Sequence, residues 1–532
     1  MIEAYSVKDV RAVEAAAMAG LPDGELMARA ALGLAEVVMA RLQERDGTRV
    51  VALVGTGDNG GDALYAAAHL AQNGIATAAV HVRDSHSAGL EAARLAGVVL
   101  VGGSQVGGSQ VGGSQVGSSQ VGGSHEMWRT VLREADVVVD GVVGIGGRPG
   151  LRAPADAWMA EIPDDAWVVA VDLPSGADPA GEVAAGAPGA NAVFADETVT
   201  FGVAKPVHLM PGTERTVGRL TVVDIGLDVD QLAGHSPAVE RLTFDDVARL
   251  WPVPDASSDK YSRGVVGIVA GTPTYPGAAV LSVLGALGAG PGMVRYLGPS
   301  EVGMLVHAAA PEVVTAAGRV QAWVLGSGFD PTSRAKGVAE QRRHIEEALA
   351  SQEPAVVDAG ALELLDHRDA PTLLTPHAGE LAKLLTRLQA GPAGPAGPHG
   401  PAGPDGSDKP GEVTRRQVSA DPLAHARAAA ERTGCTVLLK GSHTLVVSPD
   451  RSRPVRVQAD APPWLGTAGA GDVLGGLLGT LLAAGLDPLD AGALGALVHG
   501  VAADRANPGG PVRISEVAAG IPATVAALLR YA

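Results

Sequence analysis

Three glycine-rich turns in the first half of the chain carry carboxylate, amide and hydroxyl side chains. They read Gly-Thr-Gly-Asp-Asn-Gly-Gly-Asp at residues 55–62, Asp-Gly-Val-Val-Gly-Ile-Gly-Gly-Arg-Pro-Gly at residues 140–150, and Asp-Leu-Pro-Ser-Gly at residues 172–176. Each turn follows a Val-rich segment that is typical of a strand. Because the carboxyl ends of neighbouring parallel strands meet at one edge of a sheet, we expect the three turns to form one crevice.

The turn at residues 55–62 has the chemistry of a nucleotide or phosphate site. It leads directly into a predicted helix, whose first backbone N–H groups would face the ligand, and its glycines let a pyrophosphate approach without a Cβ clash. A merely tight turn stays an alternative, since there is neither Gly-x-Gly-x-x-Gly spacing nor a Walker lysine. Asp58 and Asp62 would repel a phosphate unless a cation or hydroxyl groups lie beside it. Each Asp at a strand end can also simply cap the next helix or turn.

The second half has a comparable corner at residues 464–472, Trp-Leu-Gly-Thr-Ala-Gly-Ala-Gly-Asp, before a predicted helix over residues 473–484. Backbone N–H groups at such a helix N-terminus can stabilise the charge on a phosphoryl group in transfer. Asp472 could accept the proton of the attacking hydroxyl. The alternative is an ordinary glycine-rich helix start.

Lys440 ends a predicted strand and is followed by Gly-Ser-His-Thr, a pattern that favours a phosphate contact over a solvated charge. His377 and His443 can be loop histidines with a hydrogen-bond partner. Because their spacing is not that of a metal site, we expect no structural zinc.

The composition limits the class of protein. The chain has 532 residues, with 40 Lys and Arg against 58 Asp and Glu, and its net charge of −18 disfavours nucleic acid and anionic membranes as partners. The single cysteine, Cys435, excludes an intramolecular disulfide. There is no apolar run of about 18 residues and no basic-then-apolar segment at the start, so we expect a soluble cytoplasmic protein.

Short Val-rich segments alternate with Ala- and Leu-rich helical stretches, which predicts an α/β fold with parallel sheets covered by helices. The strands predicted in the first half are Arg49 to Val54, Thr77 to Val82, Val137 to Asp140, Val168 to Asp172, Glu197 to Phe201 and Leu220 to Asp224, with helices around Leu26 to Gln43 and Gly61 to Gln72. Those of the second half include Val265 to Ala270, Ala322 to Leu325, Ala355 to Asp358, Thr372 to Leu374, Thr436 to Lys440 and Thr444 to Val447.

Two low-complexity inserts interrupt this pattern. Residues 101–125 repeat Val-Gly-Gly-Ser-Gln and are predicted to form a flexible surface loop. Residues 391–406 hold Gly-Pro triplets, too few for a collagen helix, and predict a solvated polyproline-like segment. The pattern lapses between residues 225 and 236, so we place a domain boundary near residues 230–245.

The three turns of the first half resemble those of the NAD(P)H-hydrate epimerase domain. The resemblance implies a Rossmann-like three-layer domain over residues 1–235 that binds hydrated NADH or NADPH, with Asp172 as the acid/base while C6 of the ring inverts. It also implies a potassium ion held by Asn59, Asp140 and Ser175, whose oxygens suit a hard cation. The implied contacts to the hydrate are Asp58, Asn59, Gly60, Gly61, Asp62, Gly144, Ile145, Gly146, Gly147, Arg148, Pro149, Gly150 and Asp172.

The Gly-Ala-Gly-Asp pattern ending at Asp472 resembles the ribokinase-like superfamily. With the segments at 271–278, 326–328, 375–380 and 440–444, the match is to its ADP-dependent NAD(P)H-hydrate dehydratase branch. This implies a ribokinase-like three-layer domain over residues 236–532, with Asp472 as the catalytic base. The implied contacts are Lys440, Gly441, Ser442, His443, Thr444 and Gly471 to the adenine nucleotide, and Ala278, Gly328, His377 and Asp472 to the hydrate.

Together the two halves resemble the family of bifunctional NAD(P)H-hydrate repair enzymes. Hydration of NAD(P)H gives NAD(P)HX, which exists as an R and an S epimer. The resemblance implies that one domain interconverts the two epimers. It implies that the other domain uses ADP to dehydrate the S epimer and releases phosphate and AMP. It implies K⁺ in the first domain, Mg²⁺ in the second, and NADHX, NADPHX and ADP as partners. We also expect a homo-oligomer. The alternatives are a sugar or vitamin kinase fused to a dinucleotide-binding regulatory domain, and a nucleotide-sensing or interaction protein with inactive sites.

Overall fold

The computed structural model describes residues 1–102, 124–227, 234–334, 337–390 and 412–530. The chain divides into two compact units, residues 3–239 and residues 240–532 together with Met1 and Ile2. Each unit is built around one sheet.

Seven parallel strands form the sheet of the first unit. After a short strand β1 (Ile2–Ala4), which is counted with the other sheet, they are β2 (Arg49–Val54), β3 (Ala76–His81), β4 (Val99–Gly102), β5 (Val137–Gly141), β6 (Trp167–Val171), β7 (Glu197–Phe201) and β8 (Arg219–Val223). The helices are α1 (Val7–Met18), α2 (Glu25–Glu44), α3 (Asp58–Gln72), α4 (Ser87–Leu95), α5 (Ser124–Arg133) and α6 (Ala155–Met159).

The strands lie in the order β4-β3-β2-β5-β6-β7-β8, and each neighbouring pair is parallel. This is the doubly wound order 3-2-1-4-5-6 with a seventh strand added, and it confirms the Rossmann-like prediction. The chain order reverses between β2 and β5, where ligands of such sheets bind.

Both faces of this sheet are covered. Along β2, Val50 and Val54 pack into one apolar cluster with α1 to α3, whereas Val51 packs into a second cluster with Trp128 and Trp158. Successive side chains of a strand point to opposite faces, so these clusters lie on opposite sides of the sheet and make three layers.

The three turns expected to converge follow β2, β5 and β6, which are adjacent in the sheet. The helix after the first turn begins at Asp58, three residues earlier than predicted. Residues 58–61 therefore form its first turn, and their backbone N–H groups belong to the helix N-terminus.

The second unit has a ten-stranded sheet. Its further strands are β9 (Val239–Arg241), β10 (Val265–Val269), β11 (Met293–Tyr296), β12 (Ala322–Leu325), β13 (Ala355–Val357), β14 (Thr372–Leu374), β15 (Thr436–Leu439), β16 (Thr444–Val447) and β17 (Val455–Gln458). Its helices are α7 (Phe244–Leu250), α8 (Pro276–Gly288), α9 (Ser300–Ala309), α10 (Val338–Ala350), α11 (Ala378–Ala390), α12 (Arg415–Ala420), α13 (Pro422–Thr433), α14 (Ala470–Ala483), α15 (Pro488–Ala506) and α16 (Ile514–Leu528).

This sheet runs β1-β9-β17-β16-β15-β14-β13-β12-β10-β11. The strands from β11 to β15 pair in parallel, but β15-β16 and β16-β17 are antiparallel. The prediction of a parallel sheet is confirmed for β10 to β15, and the antiparallel strands are an addition to it, because residues 440–443 form a hairpin turn that reverses the chain.

Glycines let α14 pack closely on α8. A Cβ on Gly476 would lie 1.9 Å from the Ser282 carbonyl oxygen, and one on Gly285 would lie 2.2 Å from that of Val473. Only glycine fits these positions. The packing fixes the N-terminus of α14, which carries Asp472.

The first insert is shorter than predicted at both ends. Val101 and Gly102 lie in β4, where Val101 is buried, and α5 begins at Ser124. The loop prediction for the intervening residues 103–123, and the polyproline-like prediction for residues 391–406, lie outside the described residues. Among the helices of the described residues, none has the length and apolar character needed to cross a bilayer.

Candidate active sites

The first candidate site lies at the carboxyl ends of β2, β5 and β6. Asp140 is fully buried and accepts two hydrogen bonds from Ser175, from Oγ to Oδ1 at 2.7 Å and from the backbone N to Oδ2 at 2.9 Å. The Val143 N–H donates to Ser175 Oγ at 2.9 Å. The second and third turns therefore share one hydrogen-bond network.

Asn59, in the first turn of α3, reaches this network. Its Nδ2 donates to the Val171 carbonyl, and a Cβ on Gly144 would lie only 2.1 Å from its Oδ1. The structure thus brings Asn59, Asp140 and Ser175 to one edge of the sheet. Burial raises the pKa of Asp140, and no basic side chain of the described residues forms an ion pair with it. A buried carboxylate beside hydroxyl and amide oxygens fits a hard cation.

Asp172 follows β6 and adopts a left-handed backbone conformation, with φ +65°. Its Oδ1 accepts hydrogen bonds from Thr200 Oγ1 at 2.9 Å and from Lys205 Nζ. Its backbone carbonyl accepts a hydrogen bond from His208 Nε2 at 2.8 Å. A non-glycine residue at positive φ costs about 1–3 kcal/mol, and such strain concentrates at functional sites.

The charges around Asp172 set its protonation state. Burial alone would raise the pKa of Asp172, but the charge and hydrogen bond of Lys205 outweigh burial and lower it. Burial, assisted by the Lys205 charge, lowers the pKa of His208 to about 4, so the ring is neutral. The Lys205 backbone N–H donates to His208 Nδ1 at 3.0 Å, which assigns the ring proton to Nε2.

Further acidic side chains lie near Asp172. Asp62 is 7% exposed, and its pKa is raised well above the ordinary value, first by burial and then by the negative charges of Asp172 and Asp58. Burial likewise raises the pKa of Glu14 on α1. The crevice therefore holds carboxyl groups in contrasting environments.

The other predicted contacts of this half occupy the same turns. A Cβ on Gly60 would lie 2.5 Å from the Gly55 carbonyl oxygen, so the start of α3 requires glycine there. The Gly150 N–H donates to the Gly176 carbonyl at 2.9 Å, which ties the second turn to the third. Arg148 is exposed. The binding roles of residues 58–62 and 144–150 stay predictions.

Sequence reasoning missed four residues of this site: Glu14, Thr200, Lys205 and His208. Thr200 and Lys205 lie at and after the carboxyl end of β7, the next strand in the sheet after β6. The rule that the carboxyl ends of adjacent strands converge could have found them. That rule could not have found Glu14, because Glu14 lies on α1, which does not follow a strand of this sheet.

The second candidate site lies at the N-terminus of α14. Lys440 Nζ forms an ion pair with Asp358 Oδ1 at 2.8 Å and lies 3.9 Å from Glu380 Oε2. A Cβ on Gly471 would lie 3.2 Å from Lys440 Nζ. The structure thus places Lys440 and Gly471 together with Asp472, the next residue, as predicted, and adds two carboxylates that the sequence did not single out.

The surroundings of Asp472 bring its pKa closer to neutral pH than that of an ordinary Asp. Burial raises its pKa to about 6, and the negative charge of Asp358 acts in the same direction, whereas Ser327 and Lys440 oppose both. The pKa of Lys440 is also raised, because Asp358 and Glu380 outweigh the opposite effect of burial. A carboxylate with a pKa near the working pH is well matched to general-base catalysis.

Ala278 and Gly328, two predicted hydrate contacts, touch one another. A Cβ on Gly328 would lie 2.7 Å from the Ala278 Cβ, and Gly328 has a φ of +67°. Thr272 Oγ1 donates to the Gly328 carbonyl at 3.1 Å. The start of α8 and the loop after β12 therefore approach each other closely at these two residues.

His377 caps α11. Its ring Nδ1 accepts hydrogen bonds from the backbone N–H groups of Gly379 at 3.0 Å and Glu380 at 3.2 Å. The backbone N–H of His377 donates to Glu380 Oε2 at 2.8 Å. The capping role accounts for the conformation of His377, and its contact to the hydrate stays a prediction.

Residues 441–444 lie at the β15-β16 hairpin. Gly441 and Ser442 are exposed, Ser442 Oγ lies 3.3 Å from His443 Nδ1, and Thr444 begins β16. Their predicted contact to the nucleotide stays a prediction.

Comparisons with known proteins match both halves. Residues 266–509 match the family model described as NAD(P)H-hydrate dehydratase, and residues 23–207 match the YjeF-related protein N-terminus. The bifunctional NAD(P)H-hydrate repair enzyme Nnr of Mycobacterium leprae is 40% identical, covering 98% of this chain and 99% of its own. The Nnr of Mycobacterium tuberculosis strain H37Rv is 41% identical, and the match covers 92% of this chain and 91% of that protein.

Among solved structures, the ADP/ATP-dependent NAD(P)H-hydrate dehydratase of Bacillus subtilis, co-crystallised with ATP and Mg²⁺, is 23% identical with a TM-score of 0.44. The match covers 55% of this chain and 99% of that chain.

Proposed function

This chain belongs to the family of bifunctional NAD(P)H-hydrate repair enzymes, and we propose that each of its two units carries one of the family's two activities. It is an NAD(P)H-hydrate epimerase and an NAD(P)H-hydrate dehydratase in one chain. We assign epimerisation to residues 1–235 and dehydration to residues 236–532. The observation that carries this assignment is that one family match contains Asn59, Asp140, Asp172 and Ser175, and the other contains Asp358, Glu380, Lys440 and Asp472.

In the epimerase, Asp172 moves a proton at the hydrated nicotinamide ring while C6 inverts. Its Lys205 partner supports this role, because a carboxylate that stays ionised can accept a proton. Asn59, Asp140 and Ser175 would hold a potassium ion, which would supply a fixed positive charge beside the dinucleotide phosphates. The buried Asp140 carboxylate, for which no ion pair is found in the described part of the chain, supports that ligand set.

In the dehydratase, the difficulty is the leaving group, since hydroxide leaves poorly. Asp472 accepts the proton of the 6-hydroxyl, whose oxygen attacks the β-phosphorus of ADP and displaces AMP; elimination of phosphate, with loss of a C5 proton, then restores the dihydropyridine. The N-terminus of α14 and Lys440 stabilise the charge on the phosphoryl group. Asp358 and Glu380 lie beside Lys440 and fit a Mg²⁺ ion, which would neutralise the nucleotide phosphates.

A sugar or vitamin kinase with a regulatory domain is not favoured, because both halves match repair-enzyme families. Product analysis of the purified chain with S-NADHX, ADP and Mg²⁺ tests the proposed dehydration. We expect reduced-nicotinamide absorbance to return, with one AMP and one phosphate released per NADH. A stable phosphorylated product would instead show a kinase, and no turnover would show an inactive site.

The potassium assignment has a separate test that does not depend on activity. We expect K⁺ to raise the melting temperature of the wild type more than Na⁺ does at equal ionic strength, and this difference to vanish in Asp140→Asn. Equal stabilisation of both proteins by the two salts would contradict the assignment.

A further inference from the structure

Asp62 is a buried carboxyl group of the epimerase crevice for which the described part of the chain supplies no partner. Asp62 lies on α3 and is 7% exposed, and within the described residues its side chain makes neither a hydrogen bond nor an ion pair. A buried polar group without a partner is costly, and such groups concentrate at functional sites. The assignment of Asp62 as a hydrate contact does not say what its carboxyl group does.

Asp172, in contrast, is tied to a buried cation. Lys205 is fully buried, and its Nζ donates to Asp172 Oδ1, to Thr200 Oγ1 at 2.9 Å and to the Phe201 carbonyl at 3.5 Å. An ammonium group in such a place needs a negative counter-charge, and Asp172 is the anion that meets it. Asp172 is therefore the ionised member of the crevice.

Asp62 has the opposite environment. Among the described residues it has no cation of its own. Burial, followed by the negative charges of Asp172 and Asp58, raises its pKa well above that of an ordinary Asp. The charged or titratable groups around Asp62 and Asp172 are Asp58 on α3, Glu14 and Arg11 on α1, His86 before α4, and Lys205 and His208 after β7.

The two side chains come from elements on either side of β5. Asp62 is on the helix that follows β2, Asp172 follows β6, and β5 lies between these strands. The start of α3 nevertheless reaches the carboxyl end of β6, because Asn59 Nδ2 donates to the Val171 carbonyl, next to Asp172, and Asp62 lies about one helical turn further along α3.

We propose that Asp62 is a second catalytic residue of the epimerase, the proton donor that works together with Asp172, and that Lys205 is the positioning residue that holds Asp172 as the base. The inference rests on the proposed epimerase function. A pair of carboxyl groups whose environments differ in this way divides the roles of acid and base between its members.

The step balances without a further reactant. Asp172 takes the proton of the 6-hydroxyl, the C6–N1 bond breaks as the C6 carbonyl forms, and N1 keeps the electron pair and takes the proton of Asp62. Rotation presents the other face of the carbonyl to N1. Closure runs the same steps backwards, returns both protons and gives the opposite epimer.

The test follows R-NADHX with ADP omitted, so that the dehydratase is silent and only epimerisation is observed. In the wild type we expect kcat to fall as pH rises and Asp62 loses its proton. In Asp62→Asn, kcat should fall about 100-fold or more, with KM within threefold and the alkaline decline gone. Asp164→Asn, a change at an exposed surface position, is the matched control and should behave like the wild type.

Lys205→Met tests the positioning role. Without the ammonium group the pKa of Asp172 should rise, so the decline of kcat at acidic pH should move toward neutral pH, and Lys205→Arg should restore part of the rate. Melting temperature and binding of S-NADHX, measured for every variant, separate loss of chemistry from loss of fold.

Oxygen-18 water tests the route, because ring opening keeps the hydroxyl oxygen on C6 whereas loss of water exchanges it in every turnover. An Asp62→Asn protein within threefold of wild-type kcat, with the same pH profile, would overturn the role of Asp62. Exchange in every turnover would overturn the proton assignment. A wild type that does not epimerise would instead refute the proposed function.

Discussion

Replacing Asp472 with Asn should abolish dehydration while leaving epimerisation intact. Asn keeps the size of the side chain and removes its ability to accept a proton, and Lys440 keeps its ion pair with Asp358. Positioned general bases contribute about 10²–10⁴ in rate, or roughly 3–5 kcal/mol of barrier. We therefore expect kcat of the dehydratase to fall at least 100-fold.

The pKa of Asp472 adds a pH dependence to this prediction. A base with a pKa of about 6 is mostly ionised at pH 7 and mostly protonated at pH 5. Since only the ionised form accepts a proton, the wild-type dehydratase should lose about tenfold of its kcat between these pH values. The residual rate of Asp472→Asn should lack this decline.

Both reactions can be measured on the same preparation. Dehydration is followed from S-NADHX with ADP, and epimerisation from R-NADHX without ADP, so the second activity serves as a control for intact protein. Retention of more than about a tenth of the dehydratase rate, or an unchanged acid decline in the variant, would refute the role of Asp472 as base.

Three further predictions concern the first unit and the inserts. Asp172→Ala should stop interconversion while S-NADHX is still dehydrated at the normal rate; complete consumption of an epimer mixture at wild-type speed would contradict this. Gly144→Ala should lower epimerisation at least tenfold without affecting dehydration, because its Cβ would lie 2.1 Å from Asn59 Oδ1, and a variant of full activity would show that the turn can shift. Residues 103–123, which begin just after β4, and residues 391–406 can each be replaced by a short polar linker. Either replacement should leave both activities and the melting temperature nearly unchanged. A tenfold rise in the KM of epimerisation after replacement of residues 103–123 would identify that segment as a lid.

The strands that could be predicted are mostly rich in Val, Leu and Thr. The twelve segments predicted as strands are all present, with ends within one residue, and all but β8 lie in the interior of a sheet. The strand β17 was missed, since its Val-Arg-Val-Gln sequence places Arg456 in a buried position. Its partner Glu240, at 2.9 Å, is distant in the sequence, so nothing local indicated that the charge would be compensated.

In the candidate sites, too, positions at strand ends could be predicted from the sequence, whereas contacts between distant charged residues could not. Asp140 and Ser175 could be predicted to converge because Asp140 lies at the carboxyl end of one strand and Ser175 just after the next, and the structure joins them. The ion pairs of Lys205 with Asp172 and of Lys440 with Asp358 could not, because a sequence shows charges but not which of them meet. In the first site the pairing matters for protonation, because burial would raise the pKa of Asp172 whereas Lys205 and its other partners lower it.

The most direct test of the two-activity assignment starts from pure R-NADHX and the purified chain. With ADP and Mg²⁺ present, we expect complete conversion to NADH, with one AMP and one phosphate per NADH. With ADP omitted, the reaction should stop at a mixture of the two epimers, reached much faster than in buffer alone. Persistence of the R epimer while added S epimer is consumed, or formation of NADH without any nucleotide, would contradict the account.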